Sequence, residues 1–572
     1  MTVPDWPGTG SALRGLSVPG AAFALDPTVT DANGVSAYLG TATSMREHAL
    51  KLGDHGDRRA VVCGQEVRTF TELRRDIASV ASWLRDAGVN RGDRVAIFCR
   101  NRVEFPVVFW ATQALGAVFV PFSSWWTLPE LHYGIGDARP SVIFADLSLV
   151  DHLGERLGEI DVRVVSLGAA DETSSFDEWH QVVGFNTSGM FPDAEVTPDD
   201  PATILYTSGT TGPPKGVVHT NRNHSVAVMN AAICAAAVDR ARDGSMVNPV
   251  RQPVVLQVLP WFHIAGLSGM YAALIGGATL IVLPKWDAVQ ALQIVSEEGV
   301  TSLATVPTML AEFVSTATDN GFDLSSLATL TSGASAVPTN LLHSASNVVG
   351  NDVRMATGYG LTETTSTVTL CVGPDLMAKA GSIGVPLPAT RVRIVDNDGT
   401  EVAPGDVGEI CVSGPTVAAG YWGNDEATRA AFSGGEFRTG DLGRLDPDGF
   451  IHLAGRIKDI IIRGGENIQV AEIENVIANL PGVVSVAVIG MPHPKLGEEV
   501  VAVLTIDAQS SLTDSDIIEH CRRNLSGIKV PARVIRTEDM PRNASGKILK
   551  RDLRRTLSSS TSGRETVEAQ PR

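Results

Sequence analysis

Short β-rich runs alternate with segments of helical period along most of the chain, and this alternation constrains the fold more than any other feature. The runs "RVAIFC" (94–99), "SVIFAD" (141–146), "TLIVLP" (279–284) and "SLATVP" (302–307) have the length and apolar character of buried strands. In "TFTELRRDIASVASWLRDAG" (69–88), by contrast, the apolar residues are spaced for one face of a helix. Such alternation implies an α/β architecture. With 572 residues, 44% of them hydrophobic, the chain is too long for one ordinary domain and can build large cores, so two or more domains are expected.

The texture changes twice further on. From about Gly381, "RVRIVDNDGTEVAPGDVGEICVSGP" separates β-rich stretches by "DNDG" and "APGD", as antiparallel hairpins require, which predicts a β subdomain. After "LAGRIKD" the pattern becomes a helix at "AEIENVIANLPG", strands at "VVSVAVIGM" and "EVVAVLTI", and a helix over 511–525. This predicts a compact α+β domain of about 100 residues, a usual domain size. The expected division is an N-terminal domain over 1–455, a C-terminal domain over 456–555 and a disordered tail over 556–572, where "LSSSTSGRETVEAQPR" is polar and Ser-rich.

Charge and composition exclude several classes. The 46 Lys and Arg against 64 Asp and Glu give a net charge of −18, which repels nucleic-acid backbones and anionic membranes where no basic patch intervenes, and none is evident. The longest apolar runs, such as 270–283, are broken by glycines and fall short of the roughly 20 residues of a membrane span. "MTVPDWPGTGSALRG" lacks the basic-then-apolar pattern of a secretory signal, so the cytoplasm is the expected location. Six scattered cysteines (Cys63, Cys99, Cys234, Cys371, Cys411, Cys521) without close pairing or a His cluster read as reduced, mostly structural thiols.

The stretch "ILYTSGTTGPPKGVVHT" (204–220) brings a strand into a loop of small and hydroxylic residues followed by a lone lysine. Gly209 and Gly212 let backbone N–H groups turn toward an anion, Thr207, Ser208, Thr210 and Thr211 add hydroxyls, and Lys215 adds a mobile charge, which together describe a phosphate cradle. It is not a Walker A loop, because neither Ser nor Thr follows Lys215 and the glycines are too closely spaced. Alone, the loop reads equally well as a flexible surface turn.

Three further motifs follow in order: "GYGLTETT" (358–365), "FRTGDLGRLDPDGFIHLAGRIKDIIIRGGENI" (437–468) and "PRNASGKILKRDL" (541–553). With the opening loop, they make the chain resemble the adenylate-forming superfamily from about residue 55 to 555. That superfamily includes acyl-CoA synthetases, adenylation domains of peptide synthetases and firefly luciferase. The resemblance implies two α/β subdomains plus the β subdomain in the N-terminal part, a small mobile C-terminal domain, and activation of a carboxylic acid by ATP and Mg²⁺ before transfer to coenzyme A. Attack of a carboxylate on the α-phosphate brings two anions together, so preorganised cations and donors should dominate catalysis.

Residue by residue, the resemblance places Lys547 between carboxylate and α-phosphate, Thr362 as a donor to the α-phosphate and Glu363 as the Mg²⁺ ligand. Tyr359 would stack on adenine, with the backbone of Gly333 and Ala334 on its other side. Asp441 would accept from the ribose hydroxyls and Arg456 would donate to them. Lys458 takes the hinge position for a rotation of the C-terminal domain, and Gly464 and Gly465 would admit a pantetheine arm. "LPWFHIAGLSG" (259–269) corresponds to the pocket-lining segment, with His263 where amino-acid-activating members carry an aspartate, which disfavours an amino acid. His263 reads equally as a gate to the acyl pocket or as a buried histidine. Ala265, Gly269, Gly333 and Thr357 are small, which leaves room for a long or bulky acid, with a medium- to long-chain fatty acid favoured over an aryl or steroid-side-chain acid and over transfer to a carrier protein. "PFSSWWTLPEL" (121–131) departs from the family at Ser-Ser-Trp-Trp, where Asn-Pro and a basic residue are usual. The oligomeric state is open, with a homo-oligomer possible.

Overall fold

The structure is a computed structural model that describes residues 8–149, 157, 162–168, 176–207, 213–241, 252–333, 337–350, 353–379, 381–507, 510–542 and 548–561. Its first large sheet is built on Arg94–Phe98, which lies between the parallel strands Val118–Pro121 and Val142–Ala145. Pro201–Thr207 joins Val118–Pro121 in parallel, and Lys215–Thr220 then doubles back antiparallel to it as a hairpin. All residues of Val118–Pro121 and Val142–Ala145 are buried, as the unbroken apolar runs require.

The second sheet starts parallel and ends antiparallel. Arg59–Cys63, Thr279–Val282, Val254–Gln257, Ser302–Thr305, Thr329–Ser332 and Arg354–Leu361 lie side by side in parallel. Ser366–Val372 and Ser382–Pro386 turn the order antiparallel and lead into Ile451–Arg456, Glu436–Leu445, Gly408–Ser413 and Arg391–Val395. The antiparallel region from Gly381 is therefore continuous with the parallel one. The helix expected over 69–88 spans Phe70–Asp86. Thr69 caps it by accepting from the Glu72 N–H while Glu72 accepts from the Thr69 N–H, and Phe70, Leu73, Ile77, Val80, Ala81 and Leu84 are buried.

A separate five-stranded sheet follows, with Val483–His493 and Gly497–Ile506 as its long central hairpin. Val470–Ala478 and Asp514–Asn524 cover one face through Ile473, Ile477, Ile517 and Cys521. On the other face lies the helix Lys550–Thr561, which corrects the tail expected to be disordered from residue 556. Leu553 and Leu557 stand one helical turn apart against Met491 and Met540, so an apolar stripe continues into the Ser-rich sequence and carries the helix with it. The expected disorder over 562–572 falls outside the described residues. All six cysteines are free, and none of the helices among the described residues is long and apolar enough to cross a membrane.

Candidate active site

The hairpin of Pro201–Thr207 and Lys215–Thr220 sets Thr207 directly opposite Lys215. The second strand of this hairpin pairs in turn with Gly420–Tyr421. Lys215 Nζ stands 4.8 Å from the centre of the Tyr421 ring, within cation–π range. Ser208, Gly209, Thr210 and Thr211 lie outside the described residues.

At the end of the parallel region, Arg354–Leu361 carries Tyr359 to a junction with the β subdomain. The flanking glycines are dictated by close approach: a Cβ on Gly358 would lie 2.6 Å from the Thr369 carbonyl oxygen, and one on Gly360 only 1.8 Å from that of Ser366. Tyr359 donates its phenolic hydrogen to Asp441 Oδ2 at 2.7 Å, and Arg456 Nε meets Asp441 Oδ1 at 2.6 Å. Asp441 and Arg456 are cross-strand partners on neighbouring antiparallel strands, which accounts for their pairing across 15 residues of chain. Burial raises the Tyr359 phenol, and the adjacent Asp441 charge adds to the effect.

Immediately after this strand, Thr362–Thr364 form one 3₁₀ turn. Thr365 and Ser366 follow at φ 50° and 82°, left-handed backbone rarely adopted by residues with side chains. The turn is pinned on several sides: the Thr364 hydroxyl accepts from the Leu361 N–H at 2.9 Å, the Thr365 hydroxyl donates to the Thr416 carbonyl at 2.7 Å, and the Glu363 carbonyl accepts from the Ala418 N–H at 2.9 Å. Glu363 Oε1 accepts from the Tyr421 hydroxyl at 2.9 Å. Desolvation raises the Glu363 carboxyl above its ordinary value, opposed by that hydrogen bond. Tyr421 is not evident in the sequence, where it stands in the ordinary stretch "GYWGN" 58 residues from Glu363.

A cleft of about 3290 Å³ joins these groups: Thr207, Lys215, Tyr359, Thr362, Glu363, Asp441, Arg456 and Lys458 all line it. The pocket-lining residues expected from the sequence, His263, Ala265, Gly269, Gly333 and Thr357, line the same cleft. His263 immediately precedes the helix Ile264–Ile275, its Nε2 is buried with no hydrogen-bond partner among the described residues, and burial pushes its pKa down to about 4. Gly269 faces Gln257, whose side-chain Nε2 lies 3.4 Å from where a Cβ would stand and whose Oε1 accepts from the Trp261 indole. At the departure from the family pattern, Trp126 packs on Phe122 and Tyr206, while Trp125 stands edge-on to Phe262.

Other expected site residues are placed elsewhere. Gly464 and Gly465, both at positive φ, form the two-residue turn of the hairpin Ile461–Arg463 and Glu466–Ile468, and Gly465 is not part of the cleft wall. Ala334 and Lys547 lie outside the described residues, although Arg542 and Ile548, which bracket 543–547, pair with one another and line the cleft.

The fold and this cleft define a two-part, nucleotide-using enzyme. Residues 49–422 match the AMP-binding enzyme family and residues 472–547 its C-terminal domain, so the chain belongs to that family, the adenylate-forming superfamily, and is an AMP-forming acid–thiol ligase. It is 36% identical over 498 residues to a feruloyl-CoA synthase of Amycolatopsis sp, covering 87% of this chain and 95% of that one. It is 34% identical over 499 residues to the long-chain-fatty-acid–CoA ligase FadD13 of Mycobacterium tuberculosis, covering 86% and 93%. Among solved structures, o-succinylbenzoate-CoA synthetase from Bacillus subtilis with its acyl-adenylate superposes with TM-score 0.76 at 28% identity, covering 90% of this chain and 98% of that one. ATP-bound MatB from Rhodopseudomonas palustris gives TM-score 0.77 at 30% identity, covering 90% and 99%.

Proposed function

We propose that this enzyme converts a free carboxylic acid larger than acetate, with MgATP and coenzyme A, into an acyl-CoA, AMP and pyrophosphate. The observation that carries this reading is the single cleft shared by the phosphate hairpin, the Tyr359–Asp441–Arg456 group, the Thr362–Glu363 turn and the wall of small residues. In the first step a carboxylate oxygen attacks the α-phosphorus and pyrophosphate leaves; in the second a thiol sulfur attacks the acyl carbonyl and AMP leaves. Thr362 donates to the α-phosphate, Lys215 and the hairpin tip neutralise the outgoing pyrophosphate, and Tyr359 and Asp441 hold adenine and ribose. Lys547 serves the first step, and rotation about Lys458 exchanges it for the hairpin at Gly464 and Gly465 in the second.

Magnesium fits the donor set in one way. Among the described residues there is no group of three His, Cys, Asp or Glu able to cage a metal, so an ion at Glu363 would take most of its ligands from phosphates and water, as Mg²⁺ commonly does. When bound, it supplies charge neutralisation at the phosphates.

For the acid, the open wall at Ala265 and Gly269 supports a medium- to long-chain fatty acid. A second reading, an aryl acid with a polar substituent, is favoured by the Gln257 amide beside Gly269. Pyrophosphate release is to be measured over acids of graded chain length and ring content, with and without CoA, in wild type and Gly269→Leu. A fatty-acid enzyme loses its longer substrates first in the variant, each excluded methylene forfeiting about 0.8 kcal/mol of burial. A wild-type profile indifferent to chain length but responsive to ring substituents supports the aryl reading. Turnover unaffected by CoA points to a carrier-protein thiol as acceptor and removes CoA from the scheme.

A further inference from the structure

Thr203, His219, His224 and Tyr271 form a hydrogen-bonded chain that the scheme above does not use, and all four are fully buried. Elementary donor and acceptor rules fix every proton in it. The Thr362 carbonyl can only accept, so His219 Nε2, 2.7 Å away, carries a hydrogen. In a neutral ring Nδ1 is then a lone pair and accepts from the Thr203 hydroxyl at 2.9 Å. That hydroxyl has one hydrogen, already committed, so its oxygen accepts from His224 Nε2–H at 2.9 Å. His224 Nδ1 must therefore accept from the Tyr271 hydroxyl at 3.3 Å. The chain runs one way, from Tyr271 through His224, Thr203 and His219 to the Thr362 carbonyl. A proton added to His219 Nδ1 would face the Thr203 hydroxyl hydrogen and reverse the order. Burial opposes that protonation, pushing His219 down to about 4 and His224 well below its ordinary value.

The two ends of this chain lie at functional elements. Thr362 begins the turn that also holds Glu363 and is followed by the left-handed residues Thr365 and Ser366. Tyr271 sits on Ile264–Ile275, the helix whose Ala265 and Gly269 face the acyl part of the cleft. The same helix grips the strained segment a second time, through Ser268 Oγ donating to Ser366 Oγ at 2.9 Å. Strained backbone persists only where its surroundings over-determine it, and a donor from a fully buried ring to the first carbonyl of the turn is such a constraint.

We infer that His219 is a positioning residue for adenylation: held as the Nε2–H tautomer by the Thr362 carbonyl and fixed in orientation by Thr203, His224 and Tyr271, it holds that carbonyl and so aims the Thr362 hydroxyl and the Glu363 carboxylate into the cleft. What the turn does rests on the adenylation reading; the polarity of the chain does not. The alternative is a buried network that serves folding alone.

Three variants and one spectrum separate these. In His219→Gln the amide nitrogen reaches the Nε2 position and can still donate to Thr362, whereas the amide of His219→Asn reaches only the Nδ1 position. Thr203→Val removes the hydroxyl that orients the His219 ring through Nδ1, at a residue outside the cleft wall. Acyl-AMP formation should stay within about threefold of wild type in His219→Gln and fall roughly tenfold in kcat in His219→Asn and Thr203→Val, the loss of one well-placed hydrogen bond. KM for the acid should be unchanged, and the Gln and Asn variants should melt within a few degrees of each other. Protein labelled with ¹⁵N-histidine should show His219 as the neutral Nε2–H tautomer from pH 6 to 8. Equal loss in Gln and Asn variants, a loss that follows melting temperature alone, or an Nδ1–H or charged His219 overturns the inference. A wild-type protein that adenylates no acid would instead refute the proposed function, and the tautomer spectrum would then decide the polarity of the chain without any turnover.

Discussion

Tyr421 touches two charged groups of the cleft at once, donating its hydroxyl hydrogen to Glu363 Oε1 and presenting its ring to Lys215 Nζ. The hydroxyl favours the ionised form of a carboxyl that desolvation pushes the other way. Tyr421→Phe keeps the ring and removes the donor. The expected result is a rise in KM for MgATP of roughly tenfold, the worth of one hydrogen bond to a charged group, with little change in KM for the acid. Steady-state kinetics with each substrate varied in turn checks this, and an unchanged ATP dependence would detach Glu363 from the metal role. Lys547 is tested by dividing the reaction. Its charge matters where carboxylate and α-phosphate meet, so Lys547→Ala should lower acyl-AMP formation by at least about a hundredfold, in the range of a lost electrostatic stabiliser. Thioester formation from supplied acyl-AMP should stay within a few-fold of wild type.

The strand Arg354–Leu361 and its partner Ser366–Val372 depend on a glycine at 360, where a Cβ would overlap the Ser366 carbonyl. Gly360→Ala should therefore part the ladder next to Thr362 and destabilise the protein by more than about 2 kcal/mol, visible as a lower melting temperature together with weakened ATP binding. The short 3₁₀ element Ile457–Asp459 links the second sheet to the C-terminal sheet. Lys458→Pro fixes φ near −65°, inside the range of that turn, so adenylation should survive while thioester formation is lost. Normal overall turnover would move the hinge to another residue. At this scale the sequence was informative wherever a local rule operates. Short β-rich runs marked the strands at Arg94–Phe98, Val142–Ala145, Thr279–Val282 and Ser302–Thr305, and apolar residues spaced for one face marked the helix Phe70–Asp86. The motif residues Tyr359, Asp441 and Arg456 were legible because each belongs to a short, dense pattern. Tyr421 and His219 were not, since their roles come from partners 58 and 143 residues away, brought close only by the meeting of two sheets. The helix beyond residue 556 was hidden for a related reason: its serines argue against order until Leu553 and Leu557 find a sheet to cover.

For the whole molecule, the buried histidines make stability a function of pH. His219 is fully buried and takes a proton only near pH 4, whereas in the unfolded chain it does so as pH falls through about 6.5. Between those values the unfolded chain binds more protons, so stability falls as pH falls across the window and levels off below it. The contribution is about 3 kcal/mol for one such group, at about 1.4 kcal/mol per pH unit. His224, fully buried and shifted in the same direction, adds to it. Glu363 works against them, because a carboxyl raised in the folded state binds its proton before the unfolded one does, and stability gains as pH falls between its folded value and the ordinary carboxylate range. His48 and His263, both pushed down to about 4, act with His219 and His224, and these four histidines against the raised carboxyls of Asp76 and Glu363 leave a net loss. Melting temperature should therefore decline steadily from pH 7.5 to 5, above the pH at which ordinary surface carboxylates titrate, and His219→Gln should lessen that decline without lowering the melting temperature at pH 7.5 by more than a few degrees. A profile flat to pH 5 in the wild type would mean that water reaches these rings, and with it that the chain from Tyr271 to Thr362 is not held in a single polarity.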